Sequence, residues 1–284
     1  IANRATQITR KSLESATDLR MIAKYTNGYD NVDVKAASNL GIVVVNSPTE
    51  SNWGGVAEGT MAYILCLLKK VREKDRHVKN GGWRDQSLFG TYVGSRLSDG
   101  YEGLTIGIIG FGRIGRKLIK RCLGFEANIH VYDPFVNKQI IENNKCNEID
   151  FTDGLVLADF ISIHVPLNKE TENLIAKEEL KQMKENCILV NTARGGIINE
   201  KDLVWALTNK KIYGAGLDVF ETEPPLKDNP LFQLDNVLLT PHNAALTLEC
   251  RKRMAVETCE NIVYYLTKSD LLNKNNIINK NYLN

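Results

Sequence analysis

Leu104-Thr105-Ile106-Gly107-Ile108-Ile109-Gly110-Phe111-Gly112-Arg113-Ile114-Gly115 decides the fold of this 284-residue chain. The first six residues are an apolar, β-forming run. From Arg113 to Leu123 the apolar residues Ile114, Leu118 and Leu123 continue as a helix. Between the two lies GxGxxG, a weak signal alone because glycine pairs occur in many turns, and a strong one where a strand enters it and a helix leaves it. Gly110 permits the tight turn, Gly112 lets backbone approach a pyrophosphate, and Gly115 allows the helix to pack closely on the strand. The helix N-terminus at Arg113 and Ile114 offers N–H groups to phosphates.

Working outward, Asn128 to Tyr132 reads as the second strand, and Asp133 at its end stands 18 positions after Gly115, near the ~20 expected of a ribose-binding carboxylate. A carboxylate there accepts from a ribose 2'-hydroxyl and repels a 2'-phosphate, so the predicted cofactor is NAD rather than NADP. An unliganded turn with a chance Asp is the competing reading.

Beyond the loop, short β-rich runs alternate with helical stretches, the pattern of a parallel sheet covered on both faces. Strands are expected near 104–109, 128–132, 160–165, 187–192, 213–218 and 236–240. Helices are expected near 113–124, 177–183 and 200–208, with a long one at about 246–267. This is an α/β, doubly wound parallel sheet, a Rossmann NAD-binding domain. Ahead of it, Val56 to Val71 is helical by pattern and Gly81 to Gly103 is loop-like. Residues 1 to 50 hold two further strand candidates, Met21 to Ala23 and Ile42 to Asn46, which belong to a second, smaller domain. The tail from Asn273 to Asn284 carries no visible chemistry.

The 36 basic and 34 acidic residues give a formal charge of +2 and are mixed along the chain, so no footprint for nucleic acid or a membrane surface stands out. No apolar run approaches the ~20 residues of a membrane span. Six cysteines lie scattered without C-x-x-C or Cys/His metal spacing, which fits reduced thiols in a cytoplasmic protein without a metal site. The chain begins at Ile1, and its first thirty residues hold little of a complete domain. A missing N-terminal portion is therefore expected.

In open α/β sheets ligands lie beyond the carboxyl ends of the strands, which gives weight to three polar residues there. Arg194 follows the strand 187–191 in Asn191-Thr192-Ala193-Arg194-Gly195-Gly196, and a guanidinium fork can pair with a carboxylate and polarise a carbonyl. His242 follows Thr240-Pro241, and imidazole suits acid–base work near neutrality. His164 is the runner-up for that role, while His77 reads as solvated and His130 as packed core. Glu223, stiffened by Pro224, could hold the imidazole, although spacing alone does not exclude Glu221. Asp218 ends its strand where a nicotinamide or ribose would lie, and a turn-capping Asp would look the same.

These residues resemble, over nearly the whole chain, the D-isomer-specific 2-hydroxyacid dehydrogenases, a family including phosphoglycerate dehydrogenase and hydroxypyruvate or glyoxylate reductase. The matching segments are Asn27 to Asp33, Val56 to Glu58, the glycine loop, His164 to Leu167, Asn191 to Gly196, Leu217 to Pro224 and Thr240 to His242. The resemblance implies that Arg194, Glu223 and His242 are the catalytic set. Along the cofactor it sets Val165, Pro166, Thr192, Ala193 and Asp218 beside the glycine loop and Asp133. Backbone N–H groups of Thr26, Asn27 and Gly28 would bind the substrate carboxylate across an interdomain cleft; many members have glycine where Thr26 stands.

The resemblance also implies a split, flavodoxin-like substrate domain, 1–52 and 246–284, incomplete at its N-terminus, around an NAD-binding domain, 53–245. The activity implied is hydride transfer between NAD(H) and C2 of a small D-2-hydroxy or 2-keto acid, in a homodimer. Phosphoglycerate, glycerate or glyoxylate, and lactate-type acids all stay open as substrates. A non-enzymatic NAD(H) sensor and an inactive truncated relative are the alternatives.

Overall fold

The computed structural model describes residues 2–3, 6–268 and 274–280. The ends of the expected tail at 273 and 281–284 lie outside the described residues. The chain divides into two compact units, one made of Ile1–Gly55 and Ala245–Asn284 and the other of Val56–Ala244.

In the first unit, β1 (Ala2–Asn3), β2 (Met21–Lys24) and β3 (Val43–Val45) form a parallel sheet in that order. Alternation along the strands sends their side chains to opposite faces. Ile22 and Val44 join Leu13 of α1 (Arg10–Glu14) and Ala36 and Ala37 of α2 (Val34–Asn39). Met21, Ala23, Val43 and Val45 face Ile262 and Tyr265 of α10 (Leu248–Leu266). The parallel, helix-covered character agrees with the flavodoxin-like expectation, with three strands among the described residues.

The division falls inside α3 (Glu50–Leu68), after which come α4 (Val71–Lys79) and the loop stretch 80–104, with one 3-10 turn at Gln86–Leu88. The second unit is built on seven parallel strands: β4 (Thr105–Ile109), β5 (Asn128–Tyr132), β6 (Asn147–Glu148), β7 (Phe160–Ile163), β8 (Ile188–Asn191), β9 (Gly214–Leu217) and β10 (Val237–Leu239). Their order across the sheet is β10-β9-β8-β7-β4-β5-β6. The chain starts in the middle, winds outward to β6, then returns to build the other half from β7. The switch between β4 and β7 is where a doubly wound sheet opens a crevice for a ligand.

Both faces of this sheet are covered, which is why its strands read as nearly continuous apolar runs. Ile106 and Ile108 pack with Tyr63, Ile64 and Leu67 of α3 and with Leu118 and Ile119 of α5 (Arg113–Leu123). Ile109, Ile161 and Leu189 face the other way. Their partners are Leu155 of α7 (Phe151–Leu157), Leu180 of α8 (Lys177–Gln182), and Leu203 and Leu207 of α9 (Glu200–Thr208).

Several elements differ from expectation, among them α4 and α7, which lie outside the helices expected from the pattern. The helix expected from Val56 begins six residues earlier, at Glu50. Between β5 and α7 the chain forms α6 (Lys138–Glu142) and the two-residue β6, neither of which the hydrophobic pattern announces.

Candidate active site

The glycine loop sits at the switch point. Gly110 has φ +102, a conformation that L side chains rarely adopt, and a Cβ on Gly115 would lie 2.2 Å from the Gly110 carbonyl oxygen. Around Gly112, by contrast, nothing lies within 4 Å of where a Cβ would stand, and no side chain caps the helix that starts there. Open space thus borders the N-terminus of a three-turn helix, where aligned peptide dipoles favour an anion.

Asp133 follows β5 and grips the loop from below, its two carboxylate oxygens accepting from the backbone N–H of Phe111 at 2.8 Å and of Phe135 at 3.0 Å. A carboxylate has about four lone-pair sites, so these bonds leave it able to accept from ribose hydroxyls as well. The residues present fit a dinucleotide.

Val165 and Pro166 follow β7 beside this loop, with Val165 Cγ1 2.9 Å from the place of a Gly110 Cβ. His164 is directed into the protein. Its Nε2 shares a 2.8 Å hydrogen bond with Ser162 Oγ, its Nδ1 is buried without a partner, and burial pushes its pKa down to about 4. A ring so held is neutral at pH 7 and poorly suited to trade protons with a ligand.

At the ends of β8, β9 and β10 the three polar candidates lie in one unit. Beyond β8, Thr192 shares a 3.2 Å hydrogen bond with Thr60 Oγ1. The Asn191 side chain accepts from the Ala193 N–H at 3.0 Å and donates to the Arg194 carbonyl at 2.7 Å. The turn is therefore stiff where Arg194 leaves it. Arg194 Nη1 donates to the Ala193 carbonyl at 2.7 Å.

Beyond β9, Glu223 Oε1 accepts from the Phe220 N–H at 3.1 Å, and Oε2 lies 2.7 Å from His242 Nδ1. Because a carboxylate only accepts, Nδ1 carries the proton and Nε2 is the nitrogen left to exchange one. Glu221 points elsewhere: its Oε1 accepts from the Glu200 N–H at 2.7 Å, and its own N–H donates to Glu200 Oε2 at 3.1 Å. Geometry thus separates two carboxylates that spacing could not.

The hydrogen bond to Glu223 raises the His242 pKa above the ordinary histidine value; partial burial and the Arg194 charge oppose it, and the Glu223 and Asp218 charges assist. For Glu223, burial pushes upward, but the His242 hydrogen bond and charge, the Phe220 N–H and the Arg194 charge together leave its pKa below the usual one. Both side chains stay partly open, at 48% for His242 and 37% for Glu223.

His242 itself stands at φ +49, a left-handed conformation that costs a residue with a Cβ about 1–3 kcal/mol unless the surroundings hold it. Asp218, 2% exposed, supplies the hold: it accepts from the N–H of Asn243 and of Ala244, each at 2.9 Å, and from the Thr240 hydroxyl. Thr240 is in turn bonded to the Tyr63 hydroxyl. Asp218 therefore acts as the capping residue of the His242 turn. Tyr63 and Thr240 escaped sequence reading because a tyrosine in an apolar helix and a threonine before proline carry no distinguishing pattern.

Thr26, Asn27 and Gly28 follow β2 in the other unit. The Thr26 hydroxyl donates to the Gly28 carbonyl at 2.7 Å, and the Asn27 carbonyl accepts from Asn46 Nδ2 at 2.7 Å. Lys24, just before them, is fully buried with Nζ 2.6 Å from Asn31 Oδ1, and burial lowers its pKa to about 8.

A doubly wound sheet, a glycine turn at its switch point and a hydrogen-bonded His–Glu pair at neighbouring strand ends define a dinucleotide-binding protein of the α/β class. Residues 61–244 match the NAD binding domain of the D-isomer specific 2-hydroxyacid dehydrogenases. The chain belongs to that family.

It is 40% identical over 258 residues to D-3-phosphoglycerate dehydrogenase of Archaeoglobus fulgidus, covering 91% of this chain and 47% of that protein. It is 39% identical over 277 residues to glyoxylate reductase of Thermococcus litoralis, covering 98% and 82%. Among solved structures, D-lactate dehydrogenase of Aquifex aeolicus complexed with NAD and lactic acid superposes with a TM-score of 0.87 at 30% identity, over 98% of this chain and 86% of that one. The chain spans about half the length of the phosphoglycerate dehydrogenases it matches.

Proposed function

We propose that this protein transfers hydride between NAD(H) and C2 of a small D-2-hydroxy or 2-keto acid, with Arg194, Glu223 and His242 as its catalytic residues. The observation that carries the reading is the 2.7 Å contact between His242 Nδ1 and Glu223 Oε2, on the sheet edge that also bears Arg194 and the glycine loop.

Gly110, Gly112, Arg113, Ile114, Gly115 and Asp133 would hold the cofactor, which would supply the hydride. Val165, Pro166, Thr192, Ala193 and Asp218 would flank it. Arg194 pairs with the substrate carboxylate and polarises the carbonyl. As negative charge grows on the carbonyl oxygen, His242 Nε2 gives it a proton, and in the oxidising direction the neutral ring takes the proton back. Glu223 fixes the tautomer and steadies the imidazolium. Residues 1–52 and 246–284 form the substrate domain in this reading, with the N–H groups of Thr26, Asn27 and Gly28 receiving the carboxylate.

The relatives' names span phosphoglycerate, glyoxylate and lactate chemistry, so the test is NADH oxidation with 3-phosphohydroxypyruvate, glyoxylate, hydroxypyruvate and pyruvate. Turnover of at least one is expected; tight NADH binding without turnover of any would favour a sensor, which these relatives do not support. The working form in this reading is a cytoplasmic homodimer. Among the described residues all six cysteines are free, and no helix is long and apolar enough to cross a membrane. Trp83, Phe89, Tyr92 and Leu97 are 74%, 68%, 49% and 103% exposed within residues 83–97 of the nucleotide domain, apolar side chains that a second copy would cover.

A further inference from the structure

We propose that Tyr63 is a positioning residue for His242: its hydroxyl, acting through Thr240 and Asp218, holds the left-handed turn from which the imidazole projects. The proposal rests on reading His242 as the acid–base group. Tyr63 lies on α3, 177 residues from Thr240 in sequence, and is 5% exposed. Its ring is seated against β9, where a Cβ on Gly216 would meet Tyr63 Cδ1 at 2.7 Å. The ring therefore has one place to be, and from there the hydroxyl reaches Thr240 Oγ1.

The available protons fix the direction of each bond in the chain. The Asp218 carboxylate can only accept, so the single hydroxyl proton of Thr240 goes to it. Thr240 Oγ1 must then accept from Tyr63. Burial holds the Tyr63 phenol well above its usual pKa, which keeps that donor protonated throughout the neutral range.

Asp218 spends its remaining bonds on the N–H groups of Asn243 and Ala244, the two residues after His242. A buried carboxylate held by three bonds is stiff, and each bond in such a chain strengthens the next. Tyr63 thus anchors the fixed end of a chain whose free end is the His242 backbone at φ +49. The charged groups around the ring are Glu223, Arg194 and Asp218, and Tyr63 reaches it through the last of these.

Removing the anchor loosens the turn and with it the alignment of Nδ1 on Glu223, so the ring loses part of the interaction that favours its protonated form. The test follows the His242 Cε1–H resonance of the full chain against pH in the wild type and in Tyr63→Phe, Thr240→Val and Thr240→Ser. Tyr63→Phe and Thr240→Val should move the His242 midpoint down toward the ordinary histidine value, while Thr240→Ser, which keeps the hydroxyl, should hold it. With whichever 2-keto acid is reduced, kcat at pH 7 should fall about 3- to 10-fold in Tyr63→Phe, the scale of one hydrogen bond, with the Kd for NADH unchanged.

A purely structural tyrosine would lower Tm and leave the midpoint where it was. An unmoved midpoint in both Tyr63→Phe and Thr240→Val overturns the proposal. Because the titration needs no substrate, a chain that reduced none of the four acids would sink the functional reading and still leave Tyr63 testable.

Discussion

A Cβ on Gly195 would stand 1.9 Å from the carbonyl oxygen of Phe220. The turn after β8, which carries Arg194, and the turn after β9, which carries Glu223, touch backbone to backbone at this point. Only glycine permits it. The closeness of Arg194 to Glu223 therefore depends on a glycine between them in space.

Gly195→Ala should push the two turns apart. Overpacking a tight contact costs about 1–3 kcal/mol, or roughly 2–12 °C in Tm for a unit of this size, and here the obstacle is backbone, so the upper end is expected. Turnover should fall further than stability accounts for, because Arg194 and Glu223 move relative to each other. Calorimetry and kcat/KM check both; an alanine variant with unchanged Tm would contradict the close contact.

His242→Ala removes the proposed proton donor and leaves the glycine loop untouched. A positioned acid–base group contributes ~10²- to 10⁴-fold, so kcat should drop by that factor. NADH affinity, read by tryptophan fluorescence, should stay within a few-fold of wild type. A variant that turned over normally would remove His242 from the mechanism.

The raised His242 and lowered Glu223 pKa values set a window. Keto-acid reduction needs the protonated ring, so its rate should hold above the ordinary histidine value near 6.5 and decline as pH rises through the elevated one. Glu223→Gln should bring that decline to lower pH and reduce kcat at pH 7 by about 10- to 100-fold, the worth of a hydrogen bond to a charged group. Much of the loss should be recovered at pH 5.5, where the ring is protonated without help.

Stability follows the same linkage. The raised histidine contributes stability below its unfolded value and loses it as pH climbs through the folded one. The lowered glutamate contributes above its unfolded value and loses it as pH falls through the folded one. With both side chains more than one-third exposed, solvent screening keeps these contributions small, and the pH effect should appear in rate rather than in Tm.

Asp133→Ala removes the acceptor for the Phe111 and Phe135 N–H groups and, in the proposed reading, the carboxylate offered to the ribose. NADH affinity should weaken about 10- to 100-fold, while NADPH, no longer repelled, should lose less. Titration of both cofactors gives the ratio; an unchanged ratio would assign Asp133 to the loop alone.

The exposed aromatic stretch makes a prediction of its own. Light scattering should return twice the chain mass of 31.9 kDa for the wild type, and Trp83→Glu combined with Leu97→Glu should return a single chain. A wild type that ran as one chain would end the dimer proposal.

Much of this was legible in the sequence because it rests on local pattern. The β4 run, the glycines and the α5 periodicity stand side by side, and a strand buried on both faces announces itself by composition. Residues at strand ends could be nominated for the same reason. What stayed hidden depends on contacts between distant parts of the chain. Glu221 and Glu223 differ only in that Glu200, on α9, occupies the first of them. Asp218 could be read toward a cofactor or as a turn cap, and its bonds to the N–H groups of Asn243 and Ala244 join residues far apart in sequence. The start of α3 was missed because Glu50-Ser51-Asn52-Trp53-Gly54-Gly55 lacks the apolar spacing that marks a helix from Val56 on.

The seat of the Tyr63 ring on Gly216 carries an evolutionary consequence. Neither position can drift by itself: a side chain at 216 would evict the ring, and a smaller residue at 63 would leave a void above bare backbone. Among descendants of this sequence the two sites should change as a pair, an aromatic at 63 always travelling with glycine at 216. Libraries randomised at both should return that combination, or a compact aliphatic at 63 with alanine at 216, and little in between.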